Sequence, residues 1–311
     1  MKNPHLSIVT TLYKSERFLD AFVTQCEQAL VDINCNNYEL IFVNDGSPDN
    51  SLGKVLELKK TNNHIAAVDL SRNFGHHYAI MAGLTYSTGD YVFLIDCDLE
   101  VLPTHIPTFY NKLTEIKDCD VVYGVQEKRK GSFIERIVGG LFYSFFNSLT
   151  DTRIPGNLLT ERIMSRRYVD ELISMGDKNI FMAGMMQWIG FKQIPIIIKK
   201  GLREGESTYT LGKRISLSMQ AITSFSSYPL IMLFKFGFLI STLSMITGVF
   251  FLIQKLIYPE VVLSGFTFLI VVLLFSVGII ISSLGILGIY IDKLFNQTKN
   301  RQTFIVKDIY K

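Results

Sequence analysis

The sequence predicts an α/β head built on a mainly parallel sheet, followed by a tail that inserts into a membrane. Three observations carry this. Apolar runs without alternation recur between segments of helical spacing, as strands covered on both faces do. Each run ends in polar residues. Apolar residues, 48 % of the 311, concentrate in the last third, where two long stretches hold no charge.

Taken in order, residues 6–13 (Leu-Ser-Ile-Val-Thr-Thr-Leu-Tyr) read as a first strand, and 16–32 carries Phe18, Phe22, Cys26 and Ala29 at helical spacing. Residues 38–47 form a second buried run closing in Asn44-Asp45-Gly46-Ser47. A helix over 51–60, a strand over 66–70 and a helix over 75–86 lead to the apolar run that begins at Tyr91. Strands and helices alternating at this interval imply parallel strands with helices on both faces. Ligands of such sheets bind outside the carboxyl ends of the strands. Thr11 and Tyr13, Asp45 and Ser47, Arg72 and Asn73, and the pair Asp96 and Asp98 all fall at those ends.

The run from Tyr91 to Ile95 stops in Asp96-Cys97-Asp98-Leu99-Glu100. On an extended chain Asp96 and Asp98 share a face and Cys97 points away. Two ionised carboxylates side by side repel unless a cation intervenes, and a hard divalent ion such as Mg²⁺ or Mn²⁺ that also receives a diphosphate is the simplest remedy. Taken alone, the same acids suit a solvated turn. Glu100 is either a third oxygen ligand or a cap for the helix expected after Pro103.

The formal charge of +3 gives no footprint for nucleic acid. Residues 1–5 contain no signal sequence, so the head is expected on the cytoplasmic side. Cys26, Cys35, Cys97 and Cys119 lack metal-ligand spacing and read as packing thiols of a reducing compartment.

Several motifs together resemble the inverting glycosyltransferases of family 2, in the branch that transfers a sugar from a nucleotide to a polyprenyl phosphate. They are residues 6–13, Val43-Asn44-Asp45-Gly46-Ser47, Leu70-Ser71-Arg72-Asn73-Phe74-Gly75, the Asp-x-Asp, Gly205-Glu206-Ser207-Thr208-Tyr209 and a final Arg301-Gln302-Thr303-Phe304-Ile305-Val306. The resemblance implies a GT-A (Rossmann-like) head with juxtamembrane amphipathic helices and two C-terminal transmembrane helices. It implies a UDP- or GDP-sugar donor held by Thr11, Tyr13, Glu16, Asp45, Ser47, Arg72, Asn73 and Asp96. It further implies a metal on Asp98 and Asp96, with Glu100 beside them. The acceptor is expected to be an undecaprenyl- or dolichyl-type phosphate, which Arg203, with Ser207 and Lys200, would meet at the bilayer. Asp96, Asp98 and Arg203 are the expected catalytic set.

Departures from the family pattern are plain. Glu100-Val101-Leu102-Pro103 replaces Gln-Asp-Pro-Pro, Thr11 replaces a proline, and Gln126 stands where an arginine is common. Leu159-Thr160-Glu161-Arg162 stands in place of Gly-Asp-Phe-Arg, and His76 and His77 follow Gly75 where a lysine is frequent. The histidines read as helix-surface or packing residues. A processive polysaccharide synthase shares such a head but carries Gln-x-x-Arg-Trp, whereas Trp188 directly follows Gln187 here. A catalytically silent membrane partner that binds a nucleotide sugar is the other alternative.

Residues 133–149 and 213–225 have apolar faces edged by Lys128, Arg129, Lys130, Arg136, Lys213 and Arg214, a pattern that suits helices in the headgroup layer and, for 133–149, equally an ordinary core helix. The stretches 236–253 and 261–291 are free of charge, and at about 1.5 Å per residue each is long enough for a hydrocarbon layer of roughly 30 Å. The bases at Lys213, Arg214, Lys293, Lys299 and Arg301 outnumber those of the short link between the spans. The expected organisation is therefore a cytoplasmic catalytic domain over 1–228, two spans over 229–292 and a cytoplasmic tail over 293–311, in the cytoplasmic membrane. Gly278, Ser282 and Gly285 offer a small-residue seam for packing within the chain or in a homo-oligomer.

Overall fold

The computed structural model describes residues 6–126, 157–199, 201, 226, 228–257 and 266–311. Its strands are β1 (Leu6–Leu12), β2 (Tyr38–Asn44), β3 (Ile65–Leu70), β4 (Tyr91–Leu94), β5 (Val121–Gln126), β6 (Leu158–Ser165), β7 (Gln193–Ile198) and β8 (Val306–Tyr310). Its helices are α1 (Leu19–Asp32), α2 (Ser51–Thr61), α3 (His76–Tyr86), α4 (Ile106–Glu115), α5 (Arg166–Ser174), α6 (Met182–Trp188), α7 (Tyr228–Ile257) and α8 (Phe266–Thr298). Single 3-10 turns, Glu16–Phe18 and Pro103–His105, lead into α1 and α4.

All the strands join one sheet in the order β7-β5-β6-β4-β1-β2-β3-β8. Its centre, β4-β1-β2-β3, is parallel throughout, so four carboxyl ends share one edge as the apolar runs predict. β6 runs antiparallel to both β4 and β5, and β8 antiparallel to β3. The fold is thus a Rossmann-like α/β head with antiparallel strands added outside the parallel centre.

The absence of alternation in the central strands has the expected cause. In β4 and its continuation, Phe93 and Ile95 pack into a cluster with Phe22, Phe42 and Phe109, while Val92 and Leu94 pack into a second cluster on the other face with Ile80, Tyr168 and Met185. Phe93 meets Phe109 edge to face at 5.1 Å between ring centres. α3 lies so close to the sheet that a Cβ on Gly83 would stand 2.3 Å from Val9 Cγ1 and 3.0 Å from Val43 Cγ2. The four cysteines are free thiols, three buried and Cys119 half-buried.

α7 and α8 have 30 and 33 residues. Within α8, Phe275–Thr298 is long and apolar enough to cross a membrane, with a mean hydropathy of 1.8 and none of it buried. The apolar part identified in α7 is shorter, Tyr228–Ile240. One candidate crossing therefore stands among the described residues, where the sequence predicts two. Nothing lies within 4 Å of a Cβ built on Gly278 or Gly285, so the described part of this chain does not cover the small-residue seam. The segments 133–149 and 213–225 and the motif 205–209 lie outside the described residues.

After α8 the chain returns to the head, which the division at residue 293 does not anticipate. Gln297 Oε1 accepts the Lys178 N–H at 3.0 Å, Ser71 N–H donates to the Ile305 carbonyl at 2.9 Å, and β8 then extends the sheet beyond β3. Lys307 Nζ lies 3.6 Å from Asp69, a buried acid that also accepts from Asn44 Nδ2 at 2.7 Å.

Candidate active site

The site is assembled from the turns that leave β1, β2, β3 and β4. Gly46, at φ +59°, passes so close to the β3 exit that a Cβ would sit 2.5 Å from Asn73 N, a position glycine alone fills without displacement. Beside it Asp45, only 3 % exposed, accepts the Phe74 N–H at 2.7 Å on one oxygen and the Gly75 N–H at 3.0 Å on the other. The Asn-Asp-Gly-Ser turn therefore fixes the Arg72–Gly75 loop that starts α3. Asp45 is spent on the backbone first, although each carboxylate oxygen keeps capacity for a second donor.

The β1 exit is tied to the β2 exit in the same manner. Lys14 N–H donates to Ser47 Oγ at 2.8 Å, Glu16 N–H to Asp49 Oδ2 at 3.2 Å, and Asn50 N–H to Glu16 Oε2 at 3.3 Å. Burial pushes the Asp49 carboxyl up, but the hydroxyls of Ser47 and Ser51 and the Glu16 and Ser51 N–H groups outweigh it and hold the group below its ordinary value. Tyr13, 51 % exposed, stands at this rim with Lys14 Nζ over its ring at 5.9 Å, and Arg72 stacks its guanidinium over Phe74 at 4.1 Å. Thr11, Tyr13, Glu16, Asp45, Ser47, Arg72 and Asn73 thus line one edge, with Asn73 exposed beside Arg72.

At the β4 exit the ladder continues one residue past the strand, with Ile95 N–H donating to Val9 O at 3.1 Å, and then turns. Asp98 lies in that turn and Leu99 takes φ +59°, so the extended geometry assumed for the acid pair ends before Asp98. The alternation of exposure nevertheless survives: Asp96 and Asp98 are half-buried, and Cys97 is buried with its Sγ donating to Thr11 O at 3.2 Å. Burial raises the Cys97 thiol to about 12, so it stays protonated. Asp98 Oδ1 accepts the Glu100 N–H at 3.0 Å. Glu100 is 6 % exposed, and its carbonyl accepts from Gly201 N at 2.7 Å. It does not cap the helix after Pro103: the N-cap there is Leu102, with no side-chain cap.

Asp96 continues the face of Val92 and Leu94, which is the face of α3. There it meets His76, whose Nε2 lies 3.6 Å from Asp96 Oδ1 while Nδ1 is 3.1 Å from Thr11 Oγ1. His76 is a surface residue, as its sequence context suggests, and it also joins the β1 and β4 exits. A stretch of sixty-odd residues separates Thr11 from His76, so local pattern gives no sign of this. His77 is a packing residue: its Nδ1 is 3.2 Å from Ile180 O, and burial, with His76 alongside, holds it below its ordinary value. Glu161 and Arg162 project from opposite faces of β6, Glu161 with Leu159 and Ile163, and Arg162 with Leu158 and Met164 on the face of Asp96. Lys200, Arg203 and Ser207 lie outside the described residues.

Among the described residues no three metal-type side chains gather. A divalent ion held by the hard oxygens of Asp96 and Asp98 would take its remaining ligands from a donor diphosphate and water, which is the ordinary manner of Mg²⁺. The donor set fits that ion.

The chain matches the profile described as Glycosyl transferase family 2 over residues 7–173. It is 35 % identical to an uncharacterized glycosyltransferase, YkcC, of Bacillus subtilis, over 98 % of this chain and 94 % of that one. It is 28 % identical to a prophage bactoprenol glucosyl transferase homolog of Escherichia coli, over 98 % of this chain and 99 % of that one. Among solved structures, mannosyl-3-phosphoglycerate synthase from Rubrobacter xylanophilus superposes with a TM-score of 0.49 at 13 % identity, over 70 % of this chain and 72 % of that one.

Proposed function

The chain belongs to glycosyl transferase family 2, and from that premise we propose that it moves a hexose, with inversion, from a UDP- or GDP-sugar to a polyprenyl phosphate at a membrane surface. The observation that carries the reading is the joining of four strand exits: Asp45 holds the β3 loop, and His76 spans Thr11 and Asp96. Similarity to a bactoprenol glucosyl transferase homolog along nearly the whole chain supports a lipid-phosphate acceptor.

Tyr13, Thr11, Glu16, Ser47, Arg72 and Asn73 recognise the nucleotide along the rim, and Asp45 keeps the loop beneath it in register. Asp98 and Asp96 hold Mg²⁺ or Mn²⁺, which when bound neutralises charge on the departing diphosphate. His76 restrains Asp96 from the α3 side. A phosphate monoester is already anionic near neutral pH, so its oxygen attacks the anomeric carbon without a base to deprotonate it. This accounts for Thr160 in place of the family acid and for Glu161 facing away from His76. Arg203, Ser207 and Lys200 meet the acceptor phosphate where the head joins the bilayer. α7 and α8 both cross the cytoplasmic membrane, with the head and both termini in the cytoplasm.

The test supplies purified protein with polyprenyl phosphate, Mn²⁺ and a panel of labelled nucleotide sugars, and reads lipid-linked product by mass spectrometry. Asp98→Ala is expected to abolish product; turnover equal to the parent protein would remove the metal assignment.

A further inference from the structure

Beside the acid pair, on the α3 face of the sheet, lies a cavity of about 140 Å³. It lies between α3, β4, β6 and α6, with His76 and His77 at one side, Arg162 at another, and Met182, Ala183 and Met186 across from them. Arg162 pairs with Leu94 in the β4–β6 ladder, two residues before Asp96. Small-molecule sites are commonly about 300 Å³ or larger, so this cavity admits one group of a substrate and not a whole nucleotide sugar.

Two features identify the group. The first is charge. Arg162 is 3 % exposed, and no carboxylate lines the cavity or pairs with the guanidinium at salt-bridge distance among the described residues. Its Nε donates to Thr160 O at 3.0 Å and its Nη2 to Leu159 O at 2.9 Å, but among the described residues Nη1 faces only the thioether of Met186, a weak acceptor. Glu161, the neighbouring acid, acts on it electrostatically from the opposite face of β6 but makes no ion pair with it, so a buried guanidinium stands here with room for an anion to meet it directly. The second feature is the apolar side of the cavity, Ile80, Leu94, Leu158, Met182 and Met186, which suits hydrocarbon carried next to the anion.

We propose that this cavity seats the junction between the phosphate and the first isoprene unit of the lipid acceptor, with Arg162 donating to the phosphate and Met182 and Met186 covering the isoprene carbons. The inference rests on the lipid-phosphate reading above and adds to it a cation on β6, within the head. Placed there, the phosphate oxygen approaches from the His76 side of Asp96, and burial around Arg162 strengthens the hydrogen bonds that hold it.

Full-length protein in detergent tests this with farnesyl phosphate, inorganic phosphate and farnesol as separate probes, each read as a melting-temperature shift over a titration and, for farnesyl phosphate, as KM. Arg162→Met keeps the length of the side chain and removes its charge; Ala183→Phe fills the cavity and leaves Arg162 in place. Arg162→Met is expected to weaken farnesyl phosphate roughly 10- to 100-fold, the worth of a hydrogen bond to a charged group, and Ala183→Phe to weaken it by excluding the ligand, each with the nucleotide-sugar KM unchanged. If Arg162→Met does not fold, Ala183→Phe decides. Wild-type affinity for farnesyl phosphate in both variants overturns the assignment and leaves the proposed reaction standing. A shift from inorganic phosphate or farnesol alone that equals that of farnesyl phosphate overturns the junction as the ligand. Arg162-dependent binding of farnesyl phosphate, without sugar transfer by wild-type protein to any prenyl phosphate, supports the cavity and overturns the reaction.

Discussion

Asp45→Ala removes a buried carboxylate that receives two backbone N–H groups, at 2.7 Å from Phe74 and 3.0 Å from Gly75. Hydrogen bonds to a charged acceptor contribute about 1.5–3 kcal/mol each, so full loss of both would cost about 3–6 kcal/mol. Phe74 and Gly75 are half-buried, so water replaces part of the loss and the lower end, about 3 kcal/mol, applies. For a domain of this size that is a fall of roughly 6–12 °C in melting temperature. Asp45→Asn keeps one acceptor and sets an amide N–H against the other donor, so it should melt between the parent and the alanine variant. The assay is a thermal melt of detergent-solubilised protein with and without nucleotide. The alanine variant should also lose most of the nucleotide-dependent stabilisation, because the loop that launches His76 is no longer held. Melting of both variants within 1 °C of the parent would refute the claim that this carboxylate organises the site.

Three other outcomes follow from the packing. Gly83→Ala places a methyl group 2.3 Å from Val9 Cγ1; overpacking should cost about 1–3 kcal/mol despite the better helix propensity of alanine, and Val9→Ala should restore part of it in the double variant, read by melting. Burial holds the folded-state His77 below its ordinary value, so the unfolded chain binds a proton first as pH falls. Its contribution is complete above about 6.5 and declines below that, and His77→Phe should flatten the drop in melting temperature between pH 7.5 and 5.5. Deletion of 306–310 bares the β3 edge that Val306–Tyr310 now pairs, and light scattering should show association that the full chain lacks.

Much of the parallel centre was legible because local sequence dictates it. Apolar runs such as Leu40 to Val43 have no polar face to turn to water, and turn residues at Asn44-Asp45-Gly46-Ser47 and Arg72-Asn73-Phe74-Gly75 mark where each strand stops. The antiparallel additions were not legible. β6 places Glu161 and Arg162 among buried residues and pairs with β4 across some seventy residues, so neither composition nor spacing reports it. β8 is a five-residue stretch, Val-Lys-Asp-Ile-Tyr, with adjacent charges and no period-2 alternation, and it gains meaning only from the edge of β3 that it pairs. At the site, the residue types at the strand exits could be read, but their connections could not. That Asp45 serves the backbone, that Asp98 lies in a turn and that His76 reaches Thr11 are all consequences of tertiary approach between turns.

The antiparallel closure at β3 also constrains how the polypeptide is made. Synthesis runs from the amino end, so β3 and the rest of the parallel centre are made well before Val306–Tyr310 exists. Until then the nascent head carries an unsatisfied edge, and Ser71 N–H and the Asp69 carboxylate await the Ile305 carbonyl and Lys307. Because the last strand pairs with β3, the exit of α8 and the β3 edge lie on one side of any bilayer the helices enter, and the path between head and tail would cross it an even number of times or not at all.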